Sequence, residues 1–244
     1  MHEIHLDTID STNTYAKKHA ATFPKDQITC VTAEEQTAGR GRFQRSWVSP
    51  KGVNLYITFY FRLPAQTKDL ISLAQIMACS CAAVLCNEGL DPKIKWPNDI
   101  QINGKKLGGI LCETVFLGEK VDIFLGIGVN VNTDADFFAK IDQPATSLKA
   151  ETGREWDRLP LLKKIQTQFA YDLERFKKQG FFPFHDFLEN LLAYRGEKIC
   201  CFDGKQKWVG ICHSLSSDGQ LNLLLEDHTI HTVVSGELRD FRQP

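Results

Sequence analysis

The 244-residue chain reads as an α+β protein, a mixed β-sheet flanked by helices and followed by a small β-barrel. Two patterns predict this. Strand-like runs rich in β-branched and aromatic residues alternate with helical stretches up to about residue 190. Beyond it, short alternating segments are broken by the turn dipeptides Asp203-Gly204 and Asp218-Gly219.

The elements follow in order. HEIHLDTID, from His2, alternates and predicts a first strand, and DSTNTYAKKHA opens a short helix with Asp10 or Ser11 as N-cap. QITCVTAE (27–34) and GVNLYITFYF (52–61) predict two further strands, separated by an Arg/Gly loop. KDLISLAQIMACSCAAVLCNEG predicts a long helix stopped by Gly89. Asn103-Gly104 is a type I′ hairpin signal between DIQI and KKLGGILCE, and VDIFLGIGVNV predicts the next strand. Residues 131–158 read as loop, LPLLKKIQTQFAYDLERFKKQG as an amphipathic helix ending at Gly180, and 183–193 as a shorter helix. A domain boundary is expected near residue 190.

Composition narrows the function. The chain is 43% hydrophobic and 24% charged with a formal net charge of -1, which speaks against general polyanion binding, DNA included. The apolar run IMACSCAAVLC (76–86) is short of the roughly 20 residues of a membrane span, and no membrane partner is expected. No charged-then-apolar leader follows Met1, so a cytoplasmic location is expected. The eight cysteines lack C-x-x-C spacing and read as reduced thiols rather than disulfides or a zinc site.

Four segments could carry chemistry. The loop EEQTAGRGRFQRSW (34–47) sets Arg40, Arg42 and Arg45 around Gly39 and Gly41. Glycines let backbone approach a ligand and arginines fork onto phosphate or carboxylate, though a solvated turn would look the same. The three arginines repel one another, so the loop is expected to be mobile until an anion arrives. In KWPND (95–99), Lys95 ends a strand, either facing a cleft or the solvent. In GIGVNVN (126–132), alternating glycines clear one strand face for a ligand or another backbone. DSTN (10–13) either binds a polar group at a helix N-terminus or merely caps it.

Together, in order and spacing, these segments resemble the biotin protein ligase family. The shared motifs are Asp10–Asn13, Glu34–Arg42, the W-x-S-P of Trp47–Pro50, Lys95–Asp99, Lys106–Glu113 and Gly126–Asn132. The resemblance implies the fold of class II aminoacyl-tRNA synthetases and biotin ligases, with residues 1–190 as a biotin- and ATP-binding catalytic domain and 191–244 as an SH3-like barrel. It implies formation of biotinyl-5′-AMP from biotin and ATP, with Mg²⁺, then transfer to a lysine of a biotin carboxyl carrier protein domain, as in acetyl-CoA carboxylase. Ser11, Thr12, Gln36 and the backbone near Arg40 are then expected around the ureido ring. Arg42 and Lys95 are expected at the carboxylate and phosphate, as the catalytic cations, and Trp47 near the adenine. Asn13 and Gly41 fall inside the matched binding segments. Many relatives carry a further basic residue and a glycine after G-R-G-R, where this chain has Phe43 and Gln44. Many bacterial relatives begin with a DNA-binding winged helix, whereas this chain opens on the first catalytic strand, so no repressor role is implied. A lipoate or octanoate ligase shares the chemistry, but its double-arginine, triple-glycine signature is missing. Pairing of two catalytic domains through exposed strand edges, a homodimer, stays open.

Overall fold

The computed structural model describes residues 1–139, 141, 143–203 and 205–241. The predicted turn at Asp203-Gly204 therefore falls partly outside the described residues. The first sheet is built from β1 (His2–Ile9), β2 (Thr29–Gln36), β3 (Leu55–Pro64), β4 (Lys93–Lys95), β5 (Asp99–Ile102), β6 (Lys105–Leu117) and β7 (Lys120–Val129). Its order is β1-β2-β3-β7-β6-β5-β4. β1 and β2 run parallel, joined through α1 (Thr12–His19), and all other pairs are antiparallel. The Asn103-Gly104 turn has positive φ at both residues (52° and 73°), as the I′ signal requires.

Strand alternation decides which face does what. On β3, Leu55, Ile57, Phe59, Phe61 and Leu63 enter the main apolar core, with α2 (Leu73–Asn87) and a long later helix. The intervening Tyr56, Thr58 and Tyr60 point to the opposite face, where α1 lies. β7 repeats the pattern: Val121, Ile123, Leu125, Ile127 and Val129 are core, and the register sets Gly126 beside Thr58 and Gly128 beside Tyr56. The stretch Leu70–Asn87 is apolar enough by composition to cross a membrane, yet two-thirds of it (67%) is buried within the protein.

The region read as loop contains two short helices, α3 (Ala135–Phe138) and α4 (Leu148–Thr152). Four and five residues are too few to display a helical period in the sequence. α5 (Arg158–Gln179) ends at Gly180 as expected, and the short helix expected over 183–193 begins as a tight turn at Phe182–Phe184 before α6 (His185–Asn190).

The C-terminal strands are β8 (Lys198–Phe202), β9 (Lys207–Leu215), β10 (Leu221–Leu224), β11 (Ile230–Val233) and β12 (Glu237–Asp240), in the order β11-β10-β9-β8-β12. Here the expectation of a barrel needs correction. Among the described residues β11 and β12 are the two ends of an open sheet, with no ladder closing one onto the other. Closure is unnecessary for burying its apolar face: Ile199, Cys201, Cys212, Leu221 and Leu238 join the same core cluster as α2 and α5. At the expected boundary, Ile94 of β4 bonds to Leu191 and Ala193, so the connecting chain extends the edge of the first sheet. All eight cysteines are free, and burial pushes the Cys81 and Cys112 thiols up to about 12, which leaves them inert.

Candidate active site

One cleft is lined by all nine residues expected at the site: Ser11, Thr12, Asn13, Gln36, Arg40, Gly41, Arg42, Trp47 and Lys95. It opens on the α1 face of the first sheet, and its far wall includes Gly236 and Glu237 of the C-terminal region. The two alternating glycines explain how it forms. A side chain at Gly126 would lie 2.5 Å from Asn13 Oδ1, and one at Gly128 2.5 Å from the Trp47 indole. What the bare strand face receives is thus neither a ligand nor another backbone but two side chains of the site itself.

One end of the cleft is a polar network. Ser11 stands at the N-cap of α1, yet its side chain makes no capping bond, so simple capping does not account for it. The Thr12 amide and hydroxyl reach Gln36 Oε1 (2.9 and 3.1 Å), and Gln36 Nε2 donates to Ser49 Oγ (3.0 Å), which donates to the Trp47 carbonyl (3.0 Å). Asn13 Nδ2 donates to Glu113 (2.9 Å) and to the Leu111 carbonyl (3.3 Å). Glu113 also accepts from Lys17 (2.6 Å) and Arg40 (3.3 Å). Burial pushes the Glu113 carboxyl up, but the hydrogen bonds from Lys17 and Asn13 and the nearby cations outweigh it and hold it below the usual carboxylate range. The Trp47 indole N–H is buried without an acceptor among the described residues.

The other end is cationic. Lys106 pairs with Asp99 (2.8 Å) and lies 5.4 Å from the Trp47 ring centre. Arg42 donates to Asn98 Oδ1 (3.2 Å), the Gly236 carbonyl (3.0 Å) and Ser235 Oγ (3.2 Å), and Arg45 pairs with Glu237 (2.6 Å). The mutual repulsion expected of the loop arginines is thus answered within the chain: all three already rest on protein acceptors. Lys95 is different. Its ammonium makes no hydrogen bond or ion pair among the described residues, and lies 6.0 Å from the centre of the Tyr194 ring. Burial holds its pKa below the ordinary lysine value, partly offset by the Asp99 charge.

Sequence reasoning missed Thr58, the tie from Arg42 to Ser235–Gly236, and the donation of Trp96 Nε1 to the Gly219 carbonyl (2.9 Å). The available sign of Thr58 was an aliphatic hydroxyl set among the apolar and aromatic residues of Leu55–Phe61.

A family model, Biotin/lipoate A/B protein ligase family, matches residues 6–130, just over half the chain. The chain belongs to this family. Within it, similar relatives include the bifunctional ligase/repressor BirA of Escherichia coli K12, 32% identical over 96% of this chain and 72% of that one. The biotin--[acetyl-CoA-carboxylase] ligase of Paracoccus denitrificans is 34% identical over 89% of this chain and 92% of its own length. Among ligases of known structure, the biotin protein ligase of Aquifex aeolicus, solved with biotin and ATP, superposes with a TM-score of 0.83 at 31% identity, covering 98% of this chain and 97% of that one.

Proposed function

We propose that this protein is an ATP-dependent biotin protein ligase. In the first step an oxygen of the biotin carboxylate attacks the α-phosphorus of ATP. A C–O–P linkage forms, the bond to pyrophosphate breaks, and biotinyl-5′-AMP results. In the second, a lysine amine of a carrier domain attacks the acyl carbon. An amide forms, AMP leaves, and the amine gives up its proton. Family membership and the relatives' names support biotin as the acyl group.

The observation that carries the reading is Lys95. A partly buried cation that no carboxylate contacts among the described residues, with Asp99 and Glu237 acting on it only through space, costs stability, and it is tolerated where a ligand supplies the missing contact. Phosphate oxygens gaining charge during adenylation are such a partner, and a preplaced cation lowers the barrier without reorganisation. The hydrogen-bonding end around Ser11, Thr12 and Gln36 suits a cyclic urea, and Trp47 offers an apolar face to a base. Mg²⁺ is read as part of the ATP substrate. Among the described residues no three His, Cys, Asp or Glu side chains gather to hold one on protein ligands alone. The carrier is read as the biotin domain of a carboxylase, on the strength of the relatives' names.

The test is pyrophosphate exchange into ATP with biotin, lipoate, octanoate or no acid added, followed by transfer to a purified carrier domain. Exchange that depends on biotin alone is expected. Exchange supported by lipoate or octanoate instead would overturn the assignment of substrate.

A further inference from the structure

Thr58 lies outside the cleft lining, at the centre of β3, and is fully buried (0% exposed). Its hydroxyl is 2.6 Å from Asn13 Oδ1 and 2.8 Å from Thr12 Oγ1. The direction of each bond follows from its neighbours. Asn13 must turn its NH₂ toward the Leu111 carbonyl and the Glu113 carboxylate, because both only accept. Its Oδ1 therefore faces Thr58 and needs a donor, and Thr58 has one hydrogen to give. With that hydrogen committed, Thr58 can only accept from Thr12. Gln36 Oε1 faces the Thr12 amide and can only accept as well. Whichever of the two the Thr12 hydroxyl chooses, its hydrogen points inward, and it retains only lone pairs for any ligand.

We propose that Thr58 is a positioning residue that holds Asn13 and, together with Gln36, sets the polarity of Thr12, so that the buried end of the cleft selects an acyl group bringing an N–H donor. This rests on the biotin-ligase reading and deepens it. A cyclic urea supplies that donor; a dithiolane ring or a plain alkyl chain has none and would leave the Thr12 lone pair unpaired, so discrimination follows from polarity rather than size. Thr58 does not touch the ligand. Its removal leaves Asn13 Oδ1 buried without a donor and takes away one of the two acceptors that hold the Thr12 hydrogen inward, Gln36 Oε1 being the other.

The experiment compares full-length Thr58→Val, Thr58→Ser and Thr58→Cys with the parent in biotin-dependent pyrophosphate exchange, with calorimetric biotin binding and a thermal midpoint for each. Thr58→Val keeps the shape and removes the hydroxyl, and is expected to raise the KM for biotin about tenfold while the KM for ATP changes less than about twofold. Desthiobiotin, which keeps the urea, should suffer the same loss. Octanoate should be used equally poorly by all. Thr58→Ser should restore biotin KM to near the parent's, and Thr58→Cys, a weak donor, should fall between. An unchanged biotin KM in a folded Thr58→Val, an equal rise in both KM values, or no recovery with serine would overturn the proposal. Should the valine variant fail to fold, the serine and cysteine pair decides by the same ordering. A parent without biotin-dependent exchange would overturn the ligase reading itself, which keeps the two failures apart.

Discussion

The indole N–H of Trp96 donates to the carbonyl of Gly219 at 2.9 Å, tying the turn before β10 to the residue next to Lys95. Gln75 Nε2 donates to the same carbonyl and Ser72 Oγ to that of Asp218. Gly219 sits at φ 84°, and an added Cβ would lie 2.3 Å from Gln75 Oε1 and 2.9 Å from the Phe181 ring. The C-terminal sheet thus holds the site from two sides, here through KWPND and at Ser235–Glu237 through Arg42 and Arg45.

Displacing this turn should therefore slow chemistry from a distance. Gly219→Ala is expected to lower single-turnover formation of biotinyl-AMP by about tenfold to a hundredfold, as small misplacements of reacting groups do. Biotin binding by calorimetry should stay near the parent's. Trp96→Phe, which removes only the N–H, should reproduce a milder form. A full adenylation rate in both would show that Lys95 is placed without this tie.

Lys95→Ala should cut adenylation about a hundredfold, or about 3 kcal/mol of barrier, with biotin affinity preserved. Its lowered pKa adds a pH signature. The reaction needs the charged amine, so kcat/KM should fall as pH rises through a value below that of ordinary lysine. Stability should move the other way. The unfolded chain holds this proton to higher pH than the folded one, so stability rises across the same window. Lys95→Arg should remove the alkaline limb; a limb that persists belongs to another group.

The two glycines of β7 allow the ends of the cleft to be separated. Gly128→Ala drives a methyl into the Trp47 indole and is expected to raise the KM for ATP, while Gly126→Ala drives one into Asn13 and is expected to raise the KM for biotin. Each effect should be about tenfold or more, since neither neighbour can yield without leaving its place. Steady-state kinetics with each substrate varied decides; the same pattern from both variants would refute the division.

The arginine loop should already be protected in the free protein. The Gly41, Arg45 and Trp47 amides donate to the Arg45, Arg42 and Gly39 carbonyls, and Arg45 is held by Glu237. Glu237→Ala should raise amide exchange over residues 41–47 by a factor of about two to five, the scale of a partly exposed ion pair. Ligands should then restore protection. Full exchange of these amides in the parent would return the loop to the mobile lid that its charge alone suggests.

Phe43 and Gln44 stand consecutively at φ 53° and 58°, where side chains are disfavoured. Gln44→Gly should stabilise the chain by up to about 1 kcal/mol, read as a higher denaturant midpoint at unchanged slope. A lower midpoint would mean that the Gln44 side chain contributes more than its backbone costs.

Much of this protein is local and therefore visible in the chain. The alternating glycines of β7 marked one strand face as cleared of side chains, because strand side chains switch sides at every residue. The Asn103-Gly104 turn and the stops at Gly89 and Gly180 follow from the backbone freedom of glycine and asparagine. The residues of the cleft were legible as ordered motifs. What no window of sequence carries is which polar group faces which. Glu113 meets Asn13 across 100 positions, and Arg42 meets Gly236 across 194. Only the folded chain brings these together, so only it decides that Arg42 is already engaged while Lys95 is not. The same holds for Thr58, whose hydroxyl acquires a direction only once the carboxylate and carbonyl beyond Asn13 are in place. The barrel expected from alternation and Asp-Gly turns is an open sheet for a like reason. Alternation determines which face is apolar, but whether the edges meet depends on what else covers that face, and here the core of α2 and α5 does.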